Sequence, residues 1–126
     1  IEALNQHEKS LKGSKILVLG VAYKKDIDDE RESPGYTIMK LLSEKGAIVS
    51  YNDPWIPVLK QTRKYNFHKK STPITPEVLQ EMDAVIIVTD HSAYDFAEIV
   101  RQSSLVIDTR NATSEIDGAD GKIFFA

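Results

Sequence analysis

Residues 16–34 read ILVLGVAYKKDIDDERESP, and their order indicates an α/β fold. The near-continuous apolar run over 15–21 is typical of a strand that is buried on both faces of a parallel sheet. This run leads through Gly20 into a charged loop, and the loop ends at Ser33-Pro34, an N-cap followed by proline at the first helical position. Ligands of open α/β sheets bind outside the carboxyl ends of the strands, so this loop is a candidate binding segment.

The charged loop carries Lys24, Lys25 and Arg31, which suit an anionic ligand because lysine supplies a point charge and arginine a planar fork. The loop is longer than the roughly two to six residues of an ordinary βα connection, which favours a function. The alternative is a solvated salt-bridge loop, in which these cations balance Asp26, Asp28, Asp29, Glu30 and Glu32. No G-x-G-x-x-G follows Gly20, so any phosphate contact must come largely from side chains.

The rest of the chain alternates between helical and strand-like segments. Further strands are expected over 47–51, 84–89, 105–109 and 122–125, and helices over 34–45, 76–82 and 94–101. This alternation predicts a Rossmann-like, doubly wound parallel sheet of about five or six strands, with helices on both faces. Residues 1–12 are expected to be the end of a connecting helix or linker, and residues 13–126 the domain itself.

Composition limits the class of protein. A chain of 126 residues, 41% hydrophobic and 28% charged, suits one soluble globular domain in the cytoplasm. No apolar run approaches the roughly 20 residues of a membrane span, and no signal peptide is recognisable. The net charge of −3 argues against nucleic acid as a partner. The absence of cysteine excludes disulfides, thiolate metal sites and a cysteine nucleophile, and the missing initiator Met suggests a piece of a longer protein.

Three predicted strand ends converge on one edge of the sheet, namely residues 20–31, 89–91 and 108–110. Arg110 is expected to face the crevice at this edge and to contact a ligand; the alternative is an ion pair with Asp108, two residues earlier. His91 is expected to be a cap or a surface residue.

Asp53 follows the second predicted strand, where an acidic residue can bind a ribose hydroxyl in dinucleotide folds. It lies well beyond the roughly 20-residue offset of that motif, so a turn formed by Asp53-Pro54 is expected instead. Trp55, beside this turn, is either a stacking surface or a cover for the sheet edge. His7 and His68 show no partner pattern, and no metal site is predicted.

Two linked motifs carry a family resemblance, GVAYK over 20–24 and DERESP over 29–34. Together they resemble the signature of the C-terminal, UDP-binding domain of the UDP-glucose/GDP-mannose dehydrogenases. Further matching segments are YNDP at 51–54, VIIVT at 85–89 and VIDTR at 106–110. The DTRN sequence at 108–111 is most similar to the branch that acts on UDP-N-acetylhexosamines, the UDP-N-acetylglucosamine and UDP-N-acetylmannosamine 6-dehydrogenases.

The resemblance implies an NAD-dependent oxidation of the C6 hydroxyl of a UDP-sugar to a carboxylate, in two hydride transfers, as a step of polysaccharide biosynthesis. In that family an N-terminal Rossmann domain binds NAD, a central helical region forms much of the homodimer interface, and a cysteine thiolate forms the covalent intermediate. The C-terminal domain binds the UDP part of the substrate and closes the cleft.

By this resemblance, Tyr23, Lys24 and Arg110 contact the UDP-sugar, and Arg31 reaches the NAD. No residue of the chain is assigned a catalytic role, because it contains no cysteine nucleophile and no glycine fingerprint. The chain is therefore expected to correspond to the C-terminal domain alone, to work with the N-terminal and central domains, and to be inactive by itself.

Two readings of another class compete with this one. A phosphoacceptor receiver-like signalling module would need clustered acidic residues directly after the first strand to hold Mg²⁺, and Gly20-Val21-Ala22 provides none. A non-catalytic α/β domain that binds a protein partner would leave its edge charges solvated.

Overall fold

The computed structural model of the chain describes residues 11–21, 34–59, 69–116 and 122–125. Within these ranges strands and helices alternate along the chain: β1 (Lys15–Leu19), α1 (Pro34–Glu44), β2 (Ile48–Asn52), α2 (Pro76–Glu81), β3 (Ala84–Ile87), α3 (Phe96–Gln102), β4 (Val106–Asp108) and β5 (Ile123–Phe125). Every strand and helix predicted above is present, and each end lies within two residues of the expected one.

The five strands form one sheet in the order β2-β1-β3-β4-β5, and every pairing is parallel. The strand β1 lies between β2 and β3, with Leu19 paired to Asn52 on one side and to Ile87 on the other. This topology confirms the predicted doubly wound parallel sheet.

Helices cover both faces of the sheet, as predicted. On one face, Ile16 and Val18 of β1 pack in the same apolar cluster as Met39 of α1. On the other face, Leu17 of β1 packs with Leu79 of α2. Successive strand residues point to opposite faces, so a strand that is apolar throughout is buried from both sides. Each fully buried aliphatic or aromatic side chain contributes about 1.5–3 kcal/mol relative to exposure.

The helix ends follow local chemistry. The helix α1 is followed by Gly46 at φ +91°, and the Ala47 N–H donates to the Leu42 carbonyl at 3.1 Å, which satisfies a carbonyl of the last turn. The Thr75 hydroxyl caps α2 by accepting from the Val78 N–H at 3.1 Å. The expected N-cap of α1, Ser33, lies outside the described residues.

The start of the domain stays a prediction, because residues 1–10 lie outside the described ranges. Leu11 is buried in the same cluster as Ile16. In the described part of the chain, no helix has the length and apolar character needed to cross a membrane.

Candidate functional site at the carboxyl edge of the sheet

The predicted convergence of strand ends is confirmed for the described residues. Because β1, β3 and β4 are parallel neighbours, the residues that follow them lie at one edge, which we call the carboxyl edge. Across it, the Thr109 hydroxyl donates to the Ile87 carbonyl at 2.6 Å. Of the predicted binding residues, Arg110 lies at this edge, whereas Tyr23, Lys24 and Arg31 fall outside the described residues.

Gly20 lets the chain after β3 pass directly over the end of β1. A Cβ on Gly20 would lie 2.5 Å from the Thr89 Cβ and 2.6 Å from the Thr89 carbonyl oxygen, and Gly20 has φ +87°. The N–H of Thr89 donates to the Leu19 carbonyl at 3.2 Å, and that of Gly20 to the Asn52 carbonyl at 2.8 Å. Only glycine combines this φ with the absence of a side chain, so the close approach requires it.

Asp53 connects three parts of the carboxyl edge. Its side chain is 1% exposed, and its carboxylate accepts hydrogen bonds from the Val21 N–H (2.8 Å), the Trp55 N–H (2.8 Å) and the His91 Nε2 (2.9 Å). The expected turn at Asp53-Pro54 is present, since Asp53 accepts from Trp55 within that turn. The two longer-range bonds, to Val21 and His91, were not predicted.

The prediction that His91 is a cap or surface residue is wrong. Its side chain is 0% exposed and donates from Nε2 to the Asp53 carboxylate, which as an acceptor requires the proton to be on that nitrogen. The His91 ring also contacts Tyr94, with ring centroids 5.8 Å apart. The sequence did hold a signal, because an aspartate after β2 and a histidine after β3 must share one edge of a parallel sheet.

A second link lies beside the first, because the Tyr94 hydroxyl donates to the Asn52 carbonyl at 2.8 Å. Burial, together with the negative charge of Asp53, raises the pKa of Tyr94 far above its ordinary value, so the hydroxyl keeps its proton. We call the residues Asn52, Asp53, His91 and Tyr94 the exit bridge, since they join the ends of β2 and β3 across the end of β1.

Asp108 organises the turn that presents Arg110. Its carboxylate accepts from the Arg110 N–H (2.9 Å), the Thr113 N–H (2.8 Å) and the Thr113 hydroxyl (2.6 Å). Burial alone would raise the pKa of Asp108, but the hydrogen bonds to Thr113 and to nearby backbone N–H groups outweigh it, so the pKa is lowered. Asn111 occupies the left-handed region at φ 60°, which asparagine tolerates better than most residues.

Arg110 is exposed, and its guanidinium Nε donates to the Val88 carbonyl at 2.7 Å. The alternative, an ion pair between Arg110 and Asp108, does not form. The Asp108 carboxylate contacts the backbone N–H of Arg110 instead of its guanidinium. Among the described residues, none accepts from the terminal nitrogens of this guanidinium. Terminal guanidinium nitrogens can bind a phosphate or carboxylate in a bidentate manner.

No group of three or more metal-ligating side chains is present in the described ranges. In the described part of the carboxyl edge, an exposed arginine with its Nε anchored lies beside buried carboxylates that accept hydrogen bonds from N–H and O–H donors.

Residues 17–115 match the family model described as the UDP-glucose/GDP-mannose dehydrogenase family, UDP binding domain. The chain belongs to this family. The match begins within β1 and runs through β4 and the residues that follow it, so it confirms the family resemblance carried by the GVAYK and DERESP motifs. It also argues against the receiver-like alternative.

Two curated relatives illustrate the similarity. The chain is 32% identical over 105 residues to the UDP-N-acetyl-D-mannosamine dehydrogenase of Methanococcus maripaludis. The aligned segment covers 77% of this chain and 22% of that relative. It is 35% identical over 109 residues to the UDP-glucose 6-dehydrogenase of Rickettsia bellii, in an alignment that covers 82% of this chain and 25% of that relative. The chain thus spans about a quarter of the length of these relatives.

A solved structure agrees with these matches. The UDP-D-ManNAc dehydrogenase of Pyrococcus horikoshii superposes with a TM-score of 0.74 at 25% identity, over 98% of this chain and 28% of that chain. The fold of the chain is therefore that of a Rossmann-like domain within a larger dehydrogenase chain.

Proposed function

We propose that the chain is the UDP-binding unit of an NAD-dependent UDP-sugar 6-dehydrogenase, and that it holds the UDP part of the substrate at the carboxyl edge. The observation that carries the proposal is Arg110, an exposed guanidinium anchored through Nε to the Val88 carbonyl, inside the segment that matches the UDP-binding family. A diphosphate is a multiply charged anion, and an arginine whose terminal nitrogens have no acceptor among the described residues can bind it through charge-assisted hydrogen bonds.

The other site residues complete this proposal. Tyr23 and Lys24 would contact the sugar nucleotide beside Arg110, and Arg31 would reach the NAD. The GVAYK motif begins at Gly20, which follows β1 and lies at the same edge of the sheet as Arg110. This placement supports a role for the motif in the same site. Tyr23 and Lys24 follow Gly20 by three and four residues in sequence.

The described residues do not themselves fit NAD. In a dinucleotide-binding Rossmann fold, the glycine turn after the first strand lets the pyrophosphate approach the backbone. Here Thr89 fills the space beside Gly20, at 2.5 Å from where a Cβ would stand. We therefore assign most of the NAD contact to an N-terminal domain of the same enzyme.

The chemistry divides in the same way. Oxidation of the C6 hydroxyl to a carboxylate through a covalent intermediate requires an activated nucleophile, and this chain contains no cysteine. The chain would bind and orient the UDP group while other domains carry the nucleophile and the homodimer interface. A UDP-N-acetylhexosamine is the proposed substrate, supported by DTRN at 108–111, and a cytoplasmic role in polysaccharide biosynthesis belongs to the same proposal.

Titration of the chain with UDP and UDP-N-acetylglucosamine tests the proposal, with calorimetry and the fluorescence of Trp55, the one tryptophan, as readouts. We expect saturable binding that Arg110→Ala and Lys24→Ala each weaken by about tenfold or more, since one charged hydrogen bond is worth about 1.5–3 kcal/mol.

Arg101→Ala is the matched control for Arg110→Ala. Arg101 is an exposed arginine in the last turn of α3, where it pairs with Glu98. The control should bind UDP like the wild-type chain. Equal affinity of the Arg110→Ala variant and the wild-type chain would contradict the proposed site, and NAD reduction by the purified chain with a UDP-sugar would contradict the proposed division of labour.

A further inference from the structure

We propose that Asp53 and His91 are positioning residues for nucleotide binding, which fix the backbone on both sides of the proposed UDP site without touching the ligand. This inference rests on the proposed function. Asp53 and His91 are buried, at 1% and 0% exposure. Their side chains are therefore placed to hold the backbone rather than to contact a ligand directly.

The exit bridge spans strands that are not neighbours. Because β1 lies between β2 and β3, the ends of those two strands are about 10 Å apart, twice the ordinary strand spacing. The side chains of His91 and Tyr94 nevertheless reach Asp53 and the Asn52 carbonyl. They cross above Gly20, which leaves the space for Thr89. The bridge therefore links β2 and β3 in addition to the hydrogen bonds that pair each of them with β1.

One carboxylate oxygen of Asp53 holds the end of β1. The same Oδ2 accepts from the Val21 N–H at 2.8 Å and from the His91 Nε2 at 2.9 Å. Val21 is the last described residue before the loop and precedes Tyr23 by two positions in sequence. A change at Asp53 or His91 therefore alters the point from which the chain leaves β1.

The other end of the bridge leads to Arg110. His91 lies three residues after Val88, whose carbonyl accepts from the Arg110 guanidinium at 2.7 Å. Without Asp53, the segment 88–91 keeps the bonds from the Val88 and Thr89 N–H groups to the Leu19 carbonyl but loses the side-chain bond from His91 to Asp53. We expect the Val88 carbonyl, which aims the guanidinium, to shift in response. Asp53 and His91 thus act on Arg110 through the backbone of this segment.

Asp83 provides a matched control at the opposite edge of the sheet. Its carboxylate accepts from the Lys15 N–H at 2.8 Å, which ties the start of β1 to the start of β3. The bond has the same length and type as that between Asp53 and Val21, but it lies far from Arg110. Loss of this bond affects the fold without affecting the carboxyl edge.

The experiment compares His91→Leu, His91→Gln, Asp53→Asn and Asp83→Asn, each measured for UDP affinity and for stability in urea under conditions where all are folded. We expect His91→Leu and Asp53→Asn to weaken UDP binding by about tenfold, the equivalent of about 1.4 kcal/mol. His91→Gln, whose amide can donate in place of Nε2, should recover affinity to within about threefold of wild type. Asp83→Asn should lose stability and keep wild-type affinity.

A lower stability of His91→Leu with wild-type UDP affinity would overturn the proposal, because the pair would then support the fold alone. Equal loss of affinity in Asp83→Asn would overturn it as well. Failure of the wild-type chain to bind UDP would refute the proposed function instead. In that case the NMR signals of the Val21 amide and the Arg110 Nε–H still test positioning, since both must move in His91→Leu and return in His91→Gln.

Discussion

The two edges of the sheet are built from the same strands but by different chemistry. Five buried polar residues lie at the carboxyl edge, namely Asp53, Thr89, His91, Asp108 and Thr113. At the amino edge, which precedes the strands, the described residues include two buried polar side chains, those of Ser14 and Ser103. Every buried ionisable side chain among these seven is at the carboxyl edge.

Stability alone does not explain this difference. A buried charge is costly unless it is hydrogen-bonded, and an apolar side chain of similar size is often as good for the fold. At the carboxyl edge, the carboxylates of Asp53 and Asp108 accept hydrogen bonds from N–H and O–H donors, and these bonds form a frame around the exposed Arg110. The amino edge has no such frame in the described ranges, and it holds no predicted binding residue.

The largest expected effect comes from removing the acceptor at Asp53. Asp53→Ala leaves the N–H groups of Val21, Trp55 and His91 without their buried partner, so we expect a loss of about 3–5 kcal/mol in the free energy of unfolding. Asp83→Ala at the amino edge removes the solvent-exposed hydrogen bond from the Lys15 N–H and should cost about 1 kcal/mol. Urea denaturation measures both, and similar losses would remove the contrast between the edges.

Glycines at the two ends of β1 give the next comparison. Gly20→Ala must place a Cβ against Thr89 at φ +87°, and we expect a loss of about 3 kcal/mol from overpacking and backbone strain together. Gly13 has a similar φ of +83°, but no atom lies within 4 Å of its added Cβ. Gly13→Ala should therefore cost about 1–2 kcal/mol, from strain alone. Thermal unfolding separates the two, and equal costs would mean that the contact with Thr89 is unimportant.

The fold could be predicted from sequence because its signals are local. The apolar run of β1, the glycine after α1 and the Thr75-Pro76 start of α2 each determine a boundary within a few residues. The predicted convergence of Gly20, residue 89 and Arg110 follows from parallel pairing alone.

The exit bridge could not be predicted in the same way, because its parts are distant in sequence. Asp53 and His91 are 38 residues apart, and the turn chemistry of Asp53-Pro54 already explained the aspartate. The anchoring of Arg110 was missed for a similar reason. The two-residue spacing offered only an ion pair with Asp108 as the alternative to a ligand contact. In the structure the Asp108 carboxylate accepts from the Arg110 backbone N–H, and the guanidinium donates to the Val88 carbonyl.

Buried hydroxyls at the two edges predict a smaller contrast. Thr113→Val removes a hydroxyl that donates to Asp108 and should cost about 1 kcal/mol at neutral pH. Ser103→Ala at the amino edge removes a buried hydroxyl with no partner among the described residues, and the free energy of unfolding should not fall. A loss from Ser103→Ala as large as that from Thr113→Val would contradict the comparison.

The acid stability of the chain should depend on Asp108. Because the pKa of Asp108 is lower in the folded state, its contribution is present above the pKa of the unfolded chain and is lost as the pH falls through the folded value. Thr113→Val should raise the pKa of Asp108 and make this loss shallower. Carboxyl titration by NMR, with unfolding measured between about pH 2 and 7, checks both statements. An unchanged pKa in the variant would show that the Thr113 hydroxyl is not its cause.

The smallest expected effect is that of Tyr94→Phe, which removes the second link of the exit bridge. The loss of one hydrogen bond to the Asn52 carbonyl should cost about 0.5–1 kcal/mol, while the ring contacts to His91 and Phe96 remain. In the wild-type chain the hydroxyl should stay protonated in alkali, because burial raises its pKa. Ionisation of this tyrosine in the folded chain, seen by ultraviolet absorbance near its ordinary pKa, would contradict that environment.

The most direct measurement is a titration of the ¹⁵N-labelled chain with UDP, followed by amide chemical shifts at both edges of the sheet. Nucleotide held at the carboxyl edge must shift the amides of Gly20, Val21, Thr89 and Arg110, and leave those of Gly13, Asp83 and Ser103 in place. Shifts centred on the second group, or the absence of any change at saturating UDP, would contradict binding at the carboxyl edge.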